Sequence, residues 1–346
     1  MSHNNQHIAV IRLSAMGDVA MTVPVILALV RQYPEVRVTV VSRPFFKPIF
    51  QAIPNVTFHS VHTHHQHKGL FGLLRLYREL KSKNIDVVAD LHNVLRSKVL
   101  RLLFSLAGKK VAFTDKGRKE KKALTRLVNK EFKPLKSMIE RHLATFEKLG
   151  YHLDLRTPIF LERLEVSKKV KEILGDKNHK WIGIAPFAHY ESKTYPLDLM
   201  QQVVQELSKT PSLKILLFGG GKREKELLDG LSQGLEQVHN FAGAISFEEE
   251  LQLISNLDMM VSMDSGNAHL AAMYGVKTIT LWGATHPYAG FAPYGQPLEN
   301  CLLADRNQFP MLPTSIYGNK KVVGYEDAMR TIAVEDVLQK INSNLD

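Results

Sequence analysis

Short apolar runs alternate with amphipathic segments along most of the chain. Residues 8–13, 37–42 and 85–89 are short runs rich in Val and Ile, which indicates buried strands. Between them, apolar positions recur at helical spacing over residues 70–80 and 95–106. Strands that alternate with helices of this length predict a parallel sheet with right-handed crossover connections.

The same alternation restarts after a polar stretch at residues 168–180. Strands are predicted at 181–185, 213–218, 257–262 and 278–282, and helices at 199–207, 222–231 and 266–274. Two such series predict two doubly wound α/β domains that face a cleft, with ligands bound at the carboxyl ends of the strands. We expect these domains at 1–170 and 171–330, and a helix at 331–346 that packs back on the first domain.

The composition is that of a globular protein with anionic partners. Of 346 residues, 45% are hydrophobic and 23% are charged, which argues against disorder and fibrous architectures. The formal charge of +11 favours phosphate, nucleic acid or an acidic membrane surface as a partner. The single cysteine excludes an intramolecular disulfide and a cysteine-built zinc site. We find neither a membrane-spanning run nor a signal peptide, and therefore expect a cytoplasmic protein.

The first predicted strand leads into the sequence SAMGD. A dinucleotide-binding turn requires three glycines in this place, and only Gly17 is present, which argues against a dehydrogenase. Asp18 then stands at the end of a strand and at the start of a helix. It either caps that helix or serves as a general base, because a substrate hydroxyl would lie at a strand end.

A second candidate group is the sequence DSGNAH, between a strand and an Ala-rich helix. Ser265 and Gly266 would begin the helix, where amide groups and the helix dipole attract phosphate. Asp264 could accept hydrogen bonds from sugar hydroxyls. His269 lies on the first helical turn, where it could either belong to this site or pack in the core.

Two further loops belong to the same predicted edge. Lys193 could neutralise a diphosphate, although a solvated surface lysine is the more common case. Gly219 and Gly220 belong to a glycine-rich loop. It is not a Walker A loop, because Arg223 stands where Ser or Thr is needed, but its glycines allow a ligand to approach closely. Glu224 could bind a ribose diol or simply favour the helix N-terminus.

Together these motifs resemble the ADP-heptose:lipopolysaccharide heptosyltransferases, glycosyltransferase family nine. The matching segments, spread over about residues 8–342, are IRLSAMGDVAMTVPVILAL, DLHNVLRS, APFAHYESKTYP, LLFGGGKREKE, FAGAISFEEELQLISNLDMMVSMDSGNAHLAAMYGVKTITLWGATHP and VEDVLQKI. The resemblance implies a GT-B fold of two Rossmann-like domains. It also implies inverting transfer of a heptose or related sugar from an ADP-sugar to a lipopolysaccharide core or lipid A-linked acceptor, without a metal or a cofactor.

The resemblance also assigns roles to individual residues. Asp18 would be the base that deprotonates the acceptor hydroxyl, and Lys193 would contact the donor phosphates. The other residues on the donor side would be Asp264 near the sugar, Ser265 and Gly266 at the β-phosphate, Glu224 at the ribose, Ile245 against adenine, and His269, Gly219 and Gly220. On the acceptor side we expect Arg96, His92 and Asn93, with a structural salt bridge as the alternative for Arg96.

Positive charge is concentrated in residues 108–142, which contain twelve Lys and Arg against four Asp and Glu. This segment is either a solvated helix face or a dock for anionic lipid or a phosphorylated acceptor. The expected partners are a nucleotide-sugar donor, a phosphorylated lipid-linked saccharide and an anionic membrane surface, with no nucleic acid. The expected location is cytoplasmic and peripheral, at the inner face of the inner membrane of a Gram-negative bacterium.

Two alternative functions remain open, and one histidine-rich segment could be mistaken for a metal site. A basic nucleic-acid-binding protein would explain the charge but lacks a recognised motif. A nucleotide-sugar epimerase with a GT-B-like fold would convert the donor with no acceptor present. His62, His64, His65 and His67 form a dense cluster, which we interpret as a flexible surface loop rather than a metal site.

Overall fold

The computed structural model describes residues 5–175 and 177–345, and the chain divides into two compact units. The first unit contains the chain up to Gly117 together with Met138–Leu161. The second contains Arg118–Ser137 together with the chain from Glu162 onward. This grouping differs from the expected division at residue 170.

Contacts with residues far along the chain place Arg118–Ser137 in the second unit. The backbone amide of Leu135 donates to the Tyr288 carbonyl at 2.9 Å, and the Phe132 ring lies 5.0 Å from the His286 ring. Local periodicity gives no sign of these partners, which explains why the sequence pattern did not predict this division.

The first unit contains a five-stranded parallel sheet in the order β3-β2-β1-β4-β5. The predicted strand at 37–42 is confirmed as β2, whereas the edge strands β3 and β5 were not predicted, because their partly exposed residues form no apolar run. The strands are β1 (His7–Ile11), β2 (Arg37–Ser42), β3 (Val56–Ser60), β4 (Val87–Asp90) and β5 (Lys110–Phe113).

Helices pack against this sheet. The helices α4 (Gly69–Lys81) and α5 (Leu95–Leu106) share one face, where Leu73, Leu76, Leu100 and Phe104 join a single buried cluster with strand residues such as Ile11. The helices of the first unit are α1 (Met16–Ala20), α2 (Val23–Gln32), α3 (Lys47–Phe50), α4 (Gly69–Lys81), α5 (Leu95–Leu106) and α7 (Met138–Leu149). The helix α6 (Arg118–Leu124) belongs to the second unit.

The second unit contains a six-stranded parallel sheet in the order β11-β10-β9-β6-β7-β8. Its central strands are buried apart from the exposed Lys180 and Lys277 at the start of two of them, as predicted from their continuous apolar runs. The strands are β6 (Lys180–Ala185), β7 (Leu213–Leu217), β8 (Val238–Asn240), β9 (Met259–Met263), β10 (Lys277–Trp282) and β11 (Cys301–Leu303).

The C-terminal helix packs within the second unit, although we expected it on the first domain. Val334, Val337 and Ile341 of α13 (Val334–Leu345) join the same buried cluster as Met200 and Val203 of α9 (Leu197–Ser208). The other helices of this unit are α8 (Lys168–Leu174), α9 (Leu197–Ser208), α10 (Gly221–Ser232), α11 (Phe247–Ser255), α12 (Gly266–Met273) and α13 (Val334–Leu345). Two doubly wound parallel units therefore confirm the predicted α/β class.

The described helices are short. The longest, α4, has 13 residues, and within the described residues none combines the length and the apolar character that crossing a membrane requires.

Candidate functional site

Asp18 is held by a buried arginine at the carboxyl end of β1. Nη2 of Arg12 lies 2.6 Å from Asp18 Oδ2, and the side chains of Arg12 and Asp18 are 5% and 25% exposed. The Ala15 amide donates to the same oxygen at 3.3 Å. Arg12 also donates through Nε to the Ser14 carbonyl and through Nη1 to the Leu91 carbonyl. The guanidinium group is thus fixed on three sides and in turn fixes the carboxylate.

This geometry contains the capping interaction that was the alternative for Asp18. Ala15 is the residue before α1, and its amide is satisfied by Asp18 at the third helical position. A cap requires only that contact, however, and gives no reason for a buried guanidinium beside the carboxylate. Sequence reasoning did not single out Arg12, because it stands in the apolar run that predicted β1.

His92 and Asn93 lie at the carboxyl end of β4, next to the strand that leads to Asp18. Asp90 Oδ1 accepts hydrogen bonds from the His92 amide at 3.0 Å and from the Asn93 amide at 2.7 Å. Burial, together with the charge of Arg12 and other nearby cations, lowers the pKa of His92 to about 3. His92 is therefore a neutral hydrogen-bonding group at neutral pH, not a cation.

Arg96 is exposed on the first turn of α5. In residues 5–175 and 177–345 no carboxylate forms an ion pair with it, so the salt-bridge alternative has no support there. Asn93 donates through Nδ2 to the Thr114 carbonyl at 2.9 Å, which fixes its side chain between β4 and β5. The first unit therefore presents the paired carboxylate of Asp18, the neutral imidazole of His92 and, at Arg96, an exposed guanidinium group with no ion pair to a described carboxylate.

Lys193 and Asp264 form the central pair of the second unit. Nζ of Lys193 donates to the Asp264 carbonyl at 2.5 Å and to Asp264 Oδ2 at 3.1 Å. The hydroxyl of Thr285, which is buried, donates to the same carboxylate oxygen at 2.9 Å. The Lys193 side chain is only 12% exposed, which excludes the alternative of a solvated surface lysine.

The loops that follow β6, β9, β10 and β11 meet around this pair. The Ala284 amide donates to the Ser192 carbonyl at 3.0 Å, and Ser192 Oγ donates to the Gly318 carbonyl at 2.7 Å. A Cβ atom on Gly283 would lie 2.6 Å from the Ser192 carbonyl, and one on Gly318 would lie 2.6 Å from Lys193 Cγ. Both positions therefore need glycine for the loops to pack against the lysine.

The helix α12 begins beside this pair. Ser265 precedes the helix in extended conformation, and its hydroxyl contacts the Ser262 hydroxyl at 3.0 Å rather than the helix amides. The first amides of a helix, here from Gly266, have no partner within the helix and carry the positive end of its dipole. His269 is buried on the first turn, as its packing alternative predicted. An ammonium group and a helix N-terminus at one sheet edge can hold an anion.

Glu224 makes the contact at the helix N-terminus that was considered as the alternative to binding a ribose. Its Oε2 accepts from the Gly220 amide at 2.7 Å, and within the described chain no hydrogen bond or ion pair links Glu224 to Lys193 or Asp264. A Cβ atom on Gly219 would lie 2.9 Å from Leu228 Cδ1, so the loop packs closely on α10.

Ile245 is half-buried in the turn before α11. The turn is followed by a capping box in which Ser246 accepts from the Glu249 amide and donates to the Glu249 side chain. This capping fixes the backbone immediately after Ile245, so the apolar side chain has a defined position at the start of the helix.

The basic segment at 108–142 is not one solvated helix face. It divides into β5, α6 and the start of α7, and Lys121 and Arg141 are buried. Nζ of Lys130 donates to the Pro313 carbonyl at 2.6 Å, and burial lowers the pKa of Lys130 to about 8, with the charge of Arg306 as a further cause. Several of these cations therefore have structural contacts inside their own unit.

The histidine cluster differs from the predicted flexible loop. His64 and His65 are exposed, but His67 is buried, with Nε2 3.1 Å from Glu79 Oε2 and Nδ1 accepting from the His62 amide. The surface-loop prediction is wrong for His67, because a carboxylate twelve residues later satisfies its ring. Within the described chain, no group of three or more His, Cys, Asp or Glu residues could hold a metal ion.

The sequence of the chain is similar to one family of glycosyltransferases and to individual heptosyltransferases. The model of glycosyltransferase family 9 (heptosyltransferase) matches residues 73–320. The chain is 25% identical over 299 residues to the lipopolysaccharide core heptosyltransferase OpsX of Haemophilus influenzae, covering 85% of this chain and 83% of that protein. It is 27% identical to the lipooligosaccharide heptosyltransferase 2 of the same species, with 98% and 99% of the two chains covered.

Solved structures share the fold over almost the whole chain. A glycosyl transferase of family 9 from Veillonella parvula matches with a TM-score of 0.76 and 18% identity, over 100% of this chain and 98% of that one. An Escherichia coli heptosyltransferase solved with ADP matches with a TM-score of 0.67 and 20% identity, over 98% of each chain. The predicted GT-B class is thereby confirmed.

Proposed function

We propose a reaction for this protein from one premise: the chain belongs to glycosyltransferase family 9, the heptosyltransferase family. The family predicted from the motifs is therefore confirmed, and neither the nucleic-acid-binding nor the epimerase alternative is favoured. The chain is a glycosyltransferase. Its donor is ADP-heptose, and its acceptor is a phosphorylated saccharide of a lipopolysaccharide core linked to lipid A.

The proposed reaction is a single displacement with inversion. The acceptor hydroxyl oxygen attacks the anomeric carbon of the heptose, and the bond from that carbon to the β-phosphate oxygen breaks. Asp18 takes the hydroxyl proton, and ADP leaves with the bonding electron pair. The Arg12–Asp18 pair supports this role, because the contacts of Arg12 hold the carboxylate in one orientation.

Lys193 and the N-terminus of α12 stabilise the leaving diphosphate. The single observation that carries the donor assignment is the Lys193–Asp264–Thr285 cluster at the carboxyl edge of the second sheet. Its ammonium group lies beside Ser265 and Gly266, whose amides add positive charge where negative charge develops on the leaving group. Asp264 accepts from the heptose hydroxyls. This arrangement supplies the charge without a metal ion, so transfer should continue in the presence of EDTA.

The remaining assignments complete the two substrates. Glu224 accepts from the ribose, which requires it to exchange its contact with the Gly220 amide, while Ile245 packs on adenine and the glycines of that loop allow close approach. His269 supports the donor helix from its first turn. Arg96 pairs with an acceptor phosphate, and His92 and Asn93 contact acceptor hydroxyls. The enzyme works at an anionic membrane surface and does not use nucleic acid.

The test is ADP release by the purified protein. ADP-heptose is supplied with a heptose-free lipopolysaccharide core, with a core that already carries heptose, and with no acceptor. ADP release that requires one of the two acceptors supports the proposal. Release or conversion of the donor without an acceptor would instead support an epimerase or a hydrolase, and no turnover with any nucleotide sugar would refute the proposed reaction.

A further inference from the structure

The outward face of α5 is apolar although it contacts solvent. Leu95, Leu102 and Leu106 are 78%, 58% and 77% exposed. They are seven and eleven residues apart, close to two and three full turns, so they lie along one side of the helix. The opposite side, with Leu100 and Phe104, is buried in the core of the first unit. A helix with leucines on its solvent side indicates a contact surface.

The helix α4 extends this apolar surface. Leu70 and Phe71, on its first turn, are 63% and 87% exposed. The two helices cover the same sheet face, because both supply the same buried cluster, and the rings of Tyr77 and Phe104 meet at 5.0 Å. The outward sides of α4 and α5 therefore point away from the sheet in the same direction. We call this surface the α4–α5 face.

The α4–α5 face is also strongly basic. Residues 68–110 contain ten Lys and Arg against three Asp and Glu. Each of the three carboxylates is paired within the unit: Glu79 with His67, His59 and Arg75, Asp86 with Lys109, and Asp90 with Arg101. The surplus is displayed on exposed side chains of the same segment, namely Lys68, Arg78, Lys81 and Lys98.

We propose that the α4–α5 face docks on an anionic lipid bilayer. Leu95, Leu102, Leu106, Leu70 and Phe71 insert at the boundary between headgroups and acyl chains, and the exposed lysines and arginine named above contact lipid phosphates. This inference rests on the membrane contact proposed above and assigns it to one surface, which differs from the basic segment at 108–142, where buried contacts already use several of the cations.

Charge complementarity selects this partner over two others. A second copy of the chain on the same face would bring two surfaces of like charge together, which disfavours association. Nucleic acid would match the lysines and arginines but would leave the leucines and Phe71 in water or against phosphate. An anionic bilayer satisfies both features, because apolar chains lie directly beneath its charged headgroups.

The test is sedimentation of the full chain with vesicles of phosphatidylcholine alone and with an equal amount of phosphatidylglycerol. We expect binding to the mixed vesicles only. The double variant Leu102→Ser/Leu106→Ser should lower that partition by about tenfold or more, since each leucine loses its apolar burial. The matched control Leu298→Ser, at a leucine 51% exposed in the second unit, should bind as the wild type does.

A charge variant keeps the test independent of the leucines. Lys81→Gln/Lys98→Gln should weaken binding to the mixed vesicles and reduce its dependence on salt. Transfer to a delipidated acceptor should be unchanged in both double variants, which separates docking from the proposed catalysis. The inference is overturned if the wild type does not sediment with mixed vesicles or if the leucine variant binds undiminished. It is also overturned if that variant abolishes a dimer seen in lipid-free sedimentation.

Discussion

At the scale of single residues, each of the two units uses a cation to fix a carboxylate among its candidate site residues. Arg12 holds Asp18 in the first unit, and Lys193 holds Asp264 in the second. In each pair the cation is nearly buried, and it also donates to backbone carbonyls. A charge in such a position is stable only because several acceptors surround it, so these contacts define the geometry of the site.

Thr285 is predicted to position Asp264 through one hydrogen bond. Thr285→Val removes that donor and leaves Lys193 in place, so the carboxylate loses one of two contacts on its Oδ2 atom. A hydrogen bond to a charged group contributes about 1.5–3 kcal/mol, which corresponds to donor affinity weaker by roughly ten- to a hundredfold. Calorimetric titration with ADP-heptose measures this loss.

The matched variant for this experiment is Thr285→Ser. It keeps the hydroxyl and should bind the donor within a few-fold of the wild type. If the valine and serine variants bind equally well, the hydroxyl has no positioning role.

His92 is predicted to destabilise the fold in acid. Its folded pKa of about 3 lies below the ordinary value of 6.5, so the folded state binds fewer protons than the unfolded state between these values. Its contribution to stability is complete above pH 6.5 and is lost as the pH falls toward 3. At pH 4.5 the free energy of unfolding is therefore about 2–3 kcal/mol lower than at neutral pH because of this residue.

Urea unfolding at pH 8 and pH 4.5 measures the effect. His92→Asn should lose less stability than the wild type on acidification, whereas His152→Asn, at an exposed histidine in the same unit, should lose as much as the wild type. An identical loss in all three proteins would show that His92 does not titrate in this way.

At the scale of elements, glycine determines how closely segments pack. Gly72, inside α4, faces the backbone of His67, and a Cβ atom there would lie 2.8 Å from His67 Cα. This close approach brings the buried His67 ring to Glu79 on the following turns of the helix. The turn before α4 and the helix therefore pack as one element.

Gly72→Ala is predicted to destabilise the first unit, because backbone atoms of His67 cannot move aside easily. Overpacking of this kind costs about 1–3 kcal/mol. The comparison is Gly230→Ala in α10, where nothing lies within 4 Å of the new Cβ and alanine favours the helix by about 0.5–1 kcal/mol. Opposite signs in urea unfolding are expected, and destabilisation by both variants would contradict the role of close packing.

At the scale of the whole molecule, the hydrophobic pattern predicted the buried elements well. The bounds of α5 and β2 agree with their apolar periodicity, because these elements are long or fully buried on one face. The edge strands β3, β5, β8 and β11 escaped prediction, since a short, half-exposed strand has no distinctive pattern. The grouping of residues 118–137 with the second unit depends on contacts with residues more than 150 positions away, such as Leu135 with Tyr288.

The residues of the candidate site likewise divide into those that the sequence pattern reveals and those that it does not. Residues at strand ends, such as Asp18 and Asp264, are visible in the sequence because a polar residue follows an apolar run. The side chains that fix them are not visible in this way: Arg12 is hidden within a predicted strand, and Thr285 is an ordinary polar residue in a loop. Both become recognisable only when the contacts of the two carboxylates are known.

In the proposed reaction Asp18 performs the proton transfer and Lys193 holds the donor. Both roles are tested by measuring transfer rate and ADP-heptose affinity together in Asp18→Asn and Lys193→Ala, with Asp154→Asn and Lys177→Ala as controls at ion pairs outside the proposed site. We predict that Asp18→Asn lowers the turnover rate by about a hundredfold or more and leaves donor affinity within a few-fold. Lys193→Ala should weaken donor affinity, and the controls should retain both. Full turnover by Asp18→Asn, or unchanged donor affinity in Lys193→Ala, would refute the role proposed for that residue.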